Sequence, residues 1–218
     1  MKHVTKGSPA LEFEAWKVSD DPNWAPGYGD LQNPQKRMLH ESLLSEQGWI
    51  CCYCGRKIDL SDSHIEHFRP QERYDNLALN FENLHASCIR ETQPGMPLHC
   101  GHAKGAEFNE ALQISPLDAC CESRFAYTLQ GSIIPSDATD AQAAYMVALL
   151  QLDIAFLRNR RGSEVRSVFD PAFLETVTMQ ELEKLRDSYR ARGAQGKAQS
   201  FGHVLARFAE QRLLDASP

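Results

Sequence analysis

The chain has no run approaching the roughly 20 apolar residues of a membrane span, and its first residues, MKHVTKGSPALEF, hold no apolar stretch of the signal-peptide kind. The expectation is a cytoplasmic protein with no membrane association. A basic excess is missing too: the formal net charge is −6 and the pI is near 5.8, so the chain as a whole carries no electrostatic signature of a nucleic-acid binder. There is no Ser/His/Asp order, no phosphate-binding glycine loop, no GxGxxG and no internal repeat, which removes several common enzyme classes. The seven cysteines are an odd number, a poor basis for a secreted disulfide framework. In a reducing compartment, clustered thiols are metal ligands more often than crosslinks.

With 218 residues and 42% hydrophobic content, the chain can bury one core. Residues 1–32, with Trp16, Trp24 and Pro26, read as an extended, irregular lead-in. Asn33-Pro34 looks like an N-cap followed by proline at the first helical position. Leu39, Leu43 and Leu44 share the face of the helix that follows, and Gly48 stops it. Residues 49–70 suggest a hairpin, with WICCYCG leading through Gly55 into IDLSDSHIEHF, and residues 89–98 suggest a loop. From Asp140 the pattern is helical, with Ala144, Val147, Ala148, Leu152, Ala155 and Phe156 on one face and Arg158–Gly162 closing it. Further helices are expected near Asp170-Pro171 and over Ser200–Leu214. Residues 156–218 hold 11 Lys/Arg against 8 Asp/Glu, with Arg158, Arg160 and Arg161 clustered. That patch is a solvated helix face or, alternatively, a phosphate-tracking surface.

The chemistry concentrates in one segment. Cys51 and Cys54 form a Cys-x-x-Cys, and His64 and His67 follow within IEHF and its flank. Four such ligands could make a zinc finger, but a strand sends residues three apart to opposite faces, so His64 and His67 should diverge. Cys88 and Cys100 are better partners, giving a four-thiolate zinc site from Cys51, Cys54, Cys88 and Cys100. His99 or His102 joining three of the cysteines, or no metal, are the alternatives. Cys52 is expected to pack inward, and the adjacent Cys120 and Cys121 to be structural. Glu66, His67 and Asn83 then fit metal-assisted phosphodiester hydrolysis. Glu66 would hold Mg2+ or Mn2+ through oxygen, His67 would take a proton from the attacking water, and Asn83 would bond the imidazole or nearby backbone to orient the ring.

These residues resemble a known pattern. IEHFRP, FENLHASC and HCGHAKG, framed by CCYCG, are similar to the HNH nuclease signature, whose fold is the ββα-metal motif with a zinc knuckle in many members. The flanks LLSEQGWICCYCG, HFRPQ, ISPLDACCESRFAYTLQGSIIPS and LRNRRG resemble, more narrowly, the HNH subunit of the Septu anti-phage system (PtuB-like), which also occurs beside some retrons. The likeness covers roughly residues 33–162. It implies an α+β, mostly α fold: a central zinc-stabilised ββα-metal module at 49–135, a lead-in and helix at 1–48, and a helical region at 136–218 that could dock a partner. It implies His67 as general base, Glu66 as catalytic-metal ligand and Asn83 as the orienting asparagine, with Lys104 in the closing motif. The family's final metal ligand falls at Gly101 here, so His102 becomes the candidate second ligand of the catalytic ion, with His99 competing. His64 would be a structural strand histidine or line the groove. The implied partners are a nucleic acid, DNA first and RNA as the alternative, an ABC-type ATPase subunit (PtuA-like) and a retron reverse-transcriptase complex. Leu182, Leu185 and Tyr189 offer a docking face or ordinary core packing. The competing function is a non-catalytic zinc module for nucleic-acid binding or assembly, with Gly101 as its best support.

Overall fold

The computed structural model describes residues 1–18 and 23–215; Pro22 of the expected lead-in and the last three residues of the expected C-terminal region lie outside the described residues. Among the described residues the molecule is mixed α/β, with eight α-helices and two two-stranded antiparallel sheets. In chain order these are α1 (Leu11–Lys17), α2 (Gln35–Glu46), β1 (Ser63–His67), β2 (Leu84–Cys88), α3 (Gly101–Lys104), β3 (Phe125–Tyr127) and β4 (Ile133–Pro135). The remaining helices are α4 (Ala141–Leu149), α5 (Ala155–Val168), α6 (Pro171–Thr176), α7 (Met179–Arg190) and α8 (Gly202–Asp215).

The lead-in is not wholly irregular. LEFEAWK forms α1, with Glu12 and Glu14 in its first turn and Lys17 in its last, charges that suit the helix dipole. Phe13 is buried and stacks on Trp16, which meets Trp24 edge-on. Helix α2 buries Leu39, Leu43 and Leu44 as its spacing predicts, but Pro34, not Asn33, is its N-cap residue. Gly48, at φ 69°, turns the chain toward the cysteines. Truncating any of the three leucines to alanine should cost roughly 2–5 kcal/mol.

The expected 49–70 hairpin does not form. Ile50 and Lys57 make a single bridge around the Cys51–Cys54 knuckle, while β1 pairs with β2 in the register His67↔Leu84, Glu66↔His85, Ile65↔Ala86, His64↔Ser87 and Ser63↔Cys88. Proximity in sequence suggested the wrong partner. β1 pairs instead across the loop 68–83, and the fully buried LHASC fills the centre.

The C-terminal half also differs in phase. Helix α4 ends at Leu149, and the chain breaks before α5, with Gln151 at φ 50°. The buried positions are Ala143, Met146, Leu150, Leu152 and Leu157, whereas Ala144, Ala148 and Ala155 face outward. Arg158–Gly162 lies inside α5 and does not close a helix. Asp170 caps α6 through Phe173, and a Thr178–Glu181 capping box starts α7. The α7 face of Leu182, Leu185 and Tyr189 packs into the core beside α8 and is not a free docking surface. One hydrophobic cluster draws on α2, the knuckle, the hairpin and α8.

Candidate active site and metal centre

The sulfurs of Cys51, Cys54, Cys88 and Cys100 all lie within 4.8 Å of one another and all four residues are buried. This donor set could hold a zinc ion: two thiols come from the knuckle, one from the end of β2 and one from the N-cap of α3, as a closed structural site requires. Backbone geometry prepares it. Gly55 donates its N–H to the Cys51 carbonyl (2.9 Å), and the Cys88 N–H points at the Cys51 sulfur (3.4 Å). Burial pushes the thiols of Cys88 and Cys100 up, but the sulfur hydrogen bonds converging from Cys100, Cys52, Cys54 and Cys88 overcome burial at Cys51 and hold it well below the usual range. Among the described residues no second, separate group of His, Cys, Asp and Glu side chains has metal-holding geometry.

Helix α8 braces the knuckle from beneath. Phe201 donates its N–H to the Gly55 carbonyl (2.8 Å), and a Cβ on Gly55 would stand 2.0 Å from the His203 ring, so glycine is required by close approach as well as by its φ of 74°. Cys52 packs inward, Cys121 is buried and Cys120 is exposed. His99 sits at the edge of the cluster, its Nδ1 3.3 Å from the Cys88 sulfur and 3.2 Å from that of Cys100.

The hairpin carries the remaining chemistry on two faces. On one, Glu66 is nearly fully buried and surrounded: Lys104 Nζ lies 2.9 Å from Oε1, the Tyr53 hydroxyl donates to Oε1 (3.2 Å), and His64 Nε2 is 3.3 Å from Oε2. Burial alone would raise the Glu66 carboxyl, but the His64 ring and the Lys104 ammonium hold it below the ordinary carboxylate range. The same pairing overrides burial at His64 and raises its pKa. His102 lies beside His64, with ring centroids 4.5 Å apart, and both rings meet one carbonyl: Ile89 O is 2.6 Å from His64 Nδ1 and 2.9 Å from His102 Nε2. A carbonyl only accepts, so His64 carries its proton on Nδ1 and its Nε2 is directed toward Glu66 Oε2.

Gly101 explains why there is room. A Cβ there would stand 2.4 Å from Glu66 Oε2 and 2.7 Å from His64 Nε2. The position where the resemblance expects a metal ligand therefore has no space for one while His64 and Glu66 are in place.

On the other face, the His67 ring packs edge-on against Tyr28, with centroids 4.5 Å apart, and its Nε2 donates to the Ala78 carbonyl (3.0 Å). That bond leaves Nδ1 as the basic nitrogen, and burial lowers the ring's pKa so that it is neutral at physiological pH. Asn83 does not touch the imidazole. Its Oδ1 accepts from Arg69 N–H (2.8 Å), and its Nδ2 donates to the carbonyls of Arg69 (3.0 Å) and Leu77 (3.1 Å). Asn83 thus clamps the loop whose next carbonyl, that of Ala78, orients His67.

No family model matches the chain. Over 103 residues, 46% of the chain, it is 29% identical to a protein of Vibrio cholerae serotype O1 biovar El Tor titled "Retron Vc95 putative HNH endonuclease". The match occupies 48% of that protein, so the chain spans about half the length of the curated relative it matches.

The sequence left His64 as a structural strand histidine or a groove liner, where it lies beside Glu66 and lines a groove, and did not single out Tyr53 or Tyr28. The signal for His64 was present: two residues before Glu66 on a strand, it had to share Glu66's face. Tyr53 and Tyr28 carried none, because their contacts depend on how the knuckle and the residues before α2 fold onto the hairpin. His85, opposite Glu66 in the register, is fully buried with both ring nitrogens unpartnered among the described residues. No helix among the described residues is long and apolar enough to cross a membrane.

Proposed function

We propose that this chain is an HNH endonuclease subunit that hydrolyses nucleic-acid phosphodiester bonds in a defence-associated setting. The similarity to a retron HNH endonuclease supports an HNH endonuclease family. The observation that carries the chemical reading is the division of labour across β1, where Glu66 faces a buried donor pocket and His67 faces a carbonyl that fixes its tautomer.

In this reading zinc is held by Cys51, Cys54, Cys88 and Cys100, and β1, β2 and α3 form the ββα-metal unit. His67 Nδ1 takes the proton of the attacking water, and Ala78 stabilises the ring as it becomes charged. Asn83 acts as a positioning residue through the loop. A bound Mg2+ or Mn2+ supplies Lewis-acid polarisation of the phosphate and stabilises the leaving oxygen. Glu66 Oε2 would hold that ion. His64 Nε2 is favoured over His102 as the second donor, because it already lies 3.3 Å from Oε2 while His102 spends Nε2 on Ile89. Lys104 and Tyr53 both sit on Oε1, so Oε2 faces His64 Nε2 alone among these partners.

The finer assignment, also proposed, is the HNH subunit of a Septu or retron-associated anti-phage system, working with a PtuA-like ABC-type ATPase and, in retrons, a reverse transcriptase. The 1–48, 49–135 and 136–218 divisions are proposed as regions of different duty that share one hydrophobic cluster. The competing non-catalytic reading has one observation in its favour: Glu66 is already neutralised by Lys104 and His64 without an ion.

The test is cleavage of DNA and RNA in Mg2+ or Mn2+, with and without the ATPase. His67→Ala should lower the rate by about 10²- to 10⁴-fold with fold and zinc content retained. Undiminished cleavage by that variant, or none by the zinc-loaded wild type with its partner present, refutes the assignment.

A further inference from the structure

The nuclease reading says nothing about where a substrate lies, and the whole-chain charge of −6 gives no help. The distribution of cations on the surface does. A groove of about 760 Å³ runs beside β1 between the start of α2 and the loop after Cys88; His64 lines it, and so do Tyr28, Lys36, Arg37 and Arg90. Arg37 is paired with Glu41 at 3.0 Å. Lys36 has no carboxylate partner among the described residues, and its ammonium lies 5.1 Å from the centre of the Tyr28 ring. Tyr28 also packs on His67, so the groove wall is continuous with the candidate base.

Arg90, whose Nε lies a loose 3.9 Å from the exposed Glu91 carboxylate, stands where this groove meets a second, of about 430 Å³, that is also lined by Arg56, His99, Phe156 and Arg160. The arginine cluster noted in the sequence divides at this point. Arg161 is buried against Asp153 and the Gly131 carbonyl, and Arg158 reaches Asp153, whereas Arg160 lies 4.3 Å over the Phe156 ring and lines the second groove. Lys36, Arg90 and Arg160 therefore mark one cationic line that passes His64. Exposed cations spaced along a groove, with an aromatic face and a permanently protonated phenol among them, are the groups that neutralise phosphates and stack bases. Burial pushes the Tyr28 phenol up to about 12, so it can only donate to a phosphate at neutral pH.

We propose that a nucleic-acid strand tracks along the Lys36–Arg90–Arg160 line, its phosphates on these three cations, and is thereby brought to His64 and Glu66. This rests on the nuclease reading and adds the path of the substrate. It also ties binding to the zinc site, since Arg90 sits two residues after Cys88 and is held by its bond to the Leu60 carbonyl (2.7 Å).

The test uses the zinc-loaded full chain with fluorescent 20-nucleotide DNA and RNA of one sequence, in Ca2+, across a salt series. Lys36→Glu, Arg90→Glu and Arg160→Glu should each weaken binding about tenfold or more and reduce the salt slope by about one, with zinc content and circular dichroism unchanged. Loss for DNA alone, or for RNA alone, identifies the strand. Unaltered binding in all three variants, or no binding by the wild type, overturns the track. Binding along the track without cleavage in Mg2+ or Mn2+ would leave the track standing and refute the nuclease reading. Cleavage unaffected by the three variants would do the reverse.

Discussion

Gly101→Ala is the smallest change that probes the candidate site. The new methyl would lie 2.4 Å from Glu66 Oε2, 2.7 Å from His64 Nε2 and 2.9 Å from the Glu66 carboxyl carbon, all inside the 3.0 Å that real contacts respect. Something must retreat by more than half an ångström. Glu66 is held at Oε1 by Lys104 and Tyr53, and His64 is held at Nδ1 by Ile89, so either retreat breaks a bond in a buried cluster. Overpacking costs roughly 1–3 kcal/mol, and separating a buried ion pair roughly 3–5 kcal/mol. Partial relaxation puts the expected loss at about 2–4 kcal/mol. Urea denaturation measures it, and Mn2+ titration followed by electron paramagnetic resonance reports the donor pair separately. A Gly101→Ala protein within about 0.5 kcal/mol of wild type, with unchanged Mn2+ affinity, would show that Glu66 and His64 do not meet beneath residue 101.

Three further outcomes are expected. Cys88→Ser should abolish zinc binding at the four-thiol cluster and unfold the protein or lower its stability by several kcal/mol, since zinc binding at such sites is coupled to folding; mass spectrometry and thermal melts check both. Asn83→Ala removes three hydrogen bonds that fix the loop 68–83, so it should destabilise by roughly 2–3 kcal/mol and lower kcat while KM holds; an unchanged kcat in folded protein would remove its positioning role. His40 is buried against Ser63, and burial, with the nearby cations of His64 and Arg90, pushes its pKa down to about 4. The unfolded ring protonates near 6.5 and the folded one does not, so stability is fully present above pH 6.5 and is lost as pH falls toward 4, by about 3 kcal/mol from this ring. Urea midpoints against pH should flatten in His40→Asn, and an identical slope would assign the acid sensitivity elsewhere.

The four cysteines were legible because thiols are scarce and a tetrahedral site needs two pairs from separate elements. The divergence of His64 and His67 followed from strand alternation alone. Strand pairing did not follow, because alternation says which face a residue takes and not which strand lies beside it; β2 lies beside β1 across a loop that Asn83 ties to Arg69 and Leu77. The phase of α4 and α5 was lost for a local reason: Gln151, at φ 50°, resets the helical count, and alanines at 144, 148 and 155 fit a buried face or an exposed one equally well. Helix α1 is seven residues long, too short for periodicity to mark it among prolines and glycines. Asn83's indirect action was half legible, since a backbone target was one of its two expected roles.

The four-thiol cluster and the Glu66 pocket are joined at one residue. Ile89 follows Cys88 directly and has φ 72°, a conformation that a β-branched residue adopts only under constraint and at a cost of roughly 1–3 kcal/mol. Its N–H is held by the Asp62 carbonyl (2.9 Å), and its own carbonyl is thereby turned toward His64 and His102. Relaxed to an extended backbone, the same residue would aim that carbonyl away, and His64 would lose the acceptor of its Nδ1 proton. Cys88, in the four-thiol cluster, leads directly into the strained turn, and the turned carbonyl meets His64 Nδ1 while His64 Nε2 faces Glu66 Oε2. Zinc held as proposed by the four thiols would in this way act on the placement of His64 as well as on the scaffold.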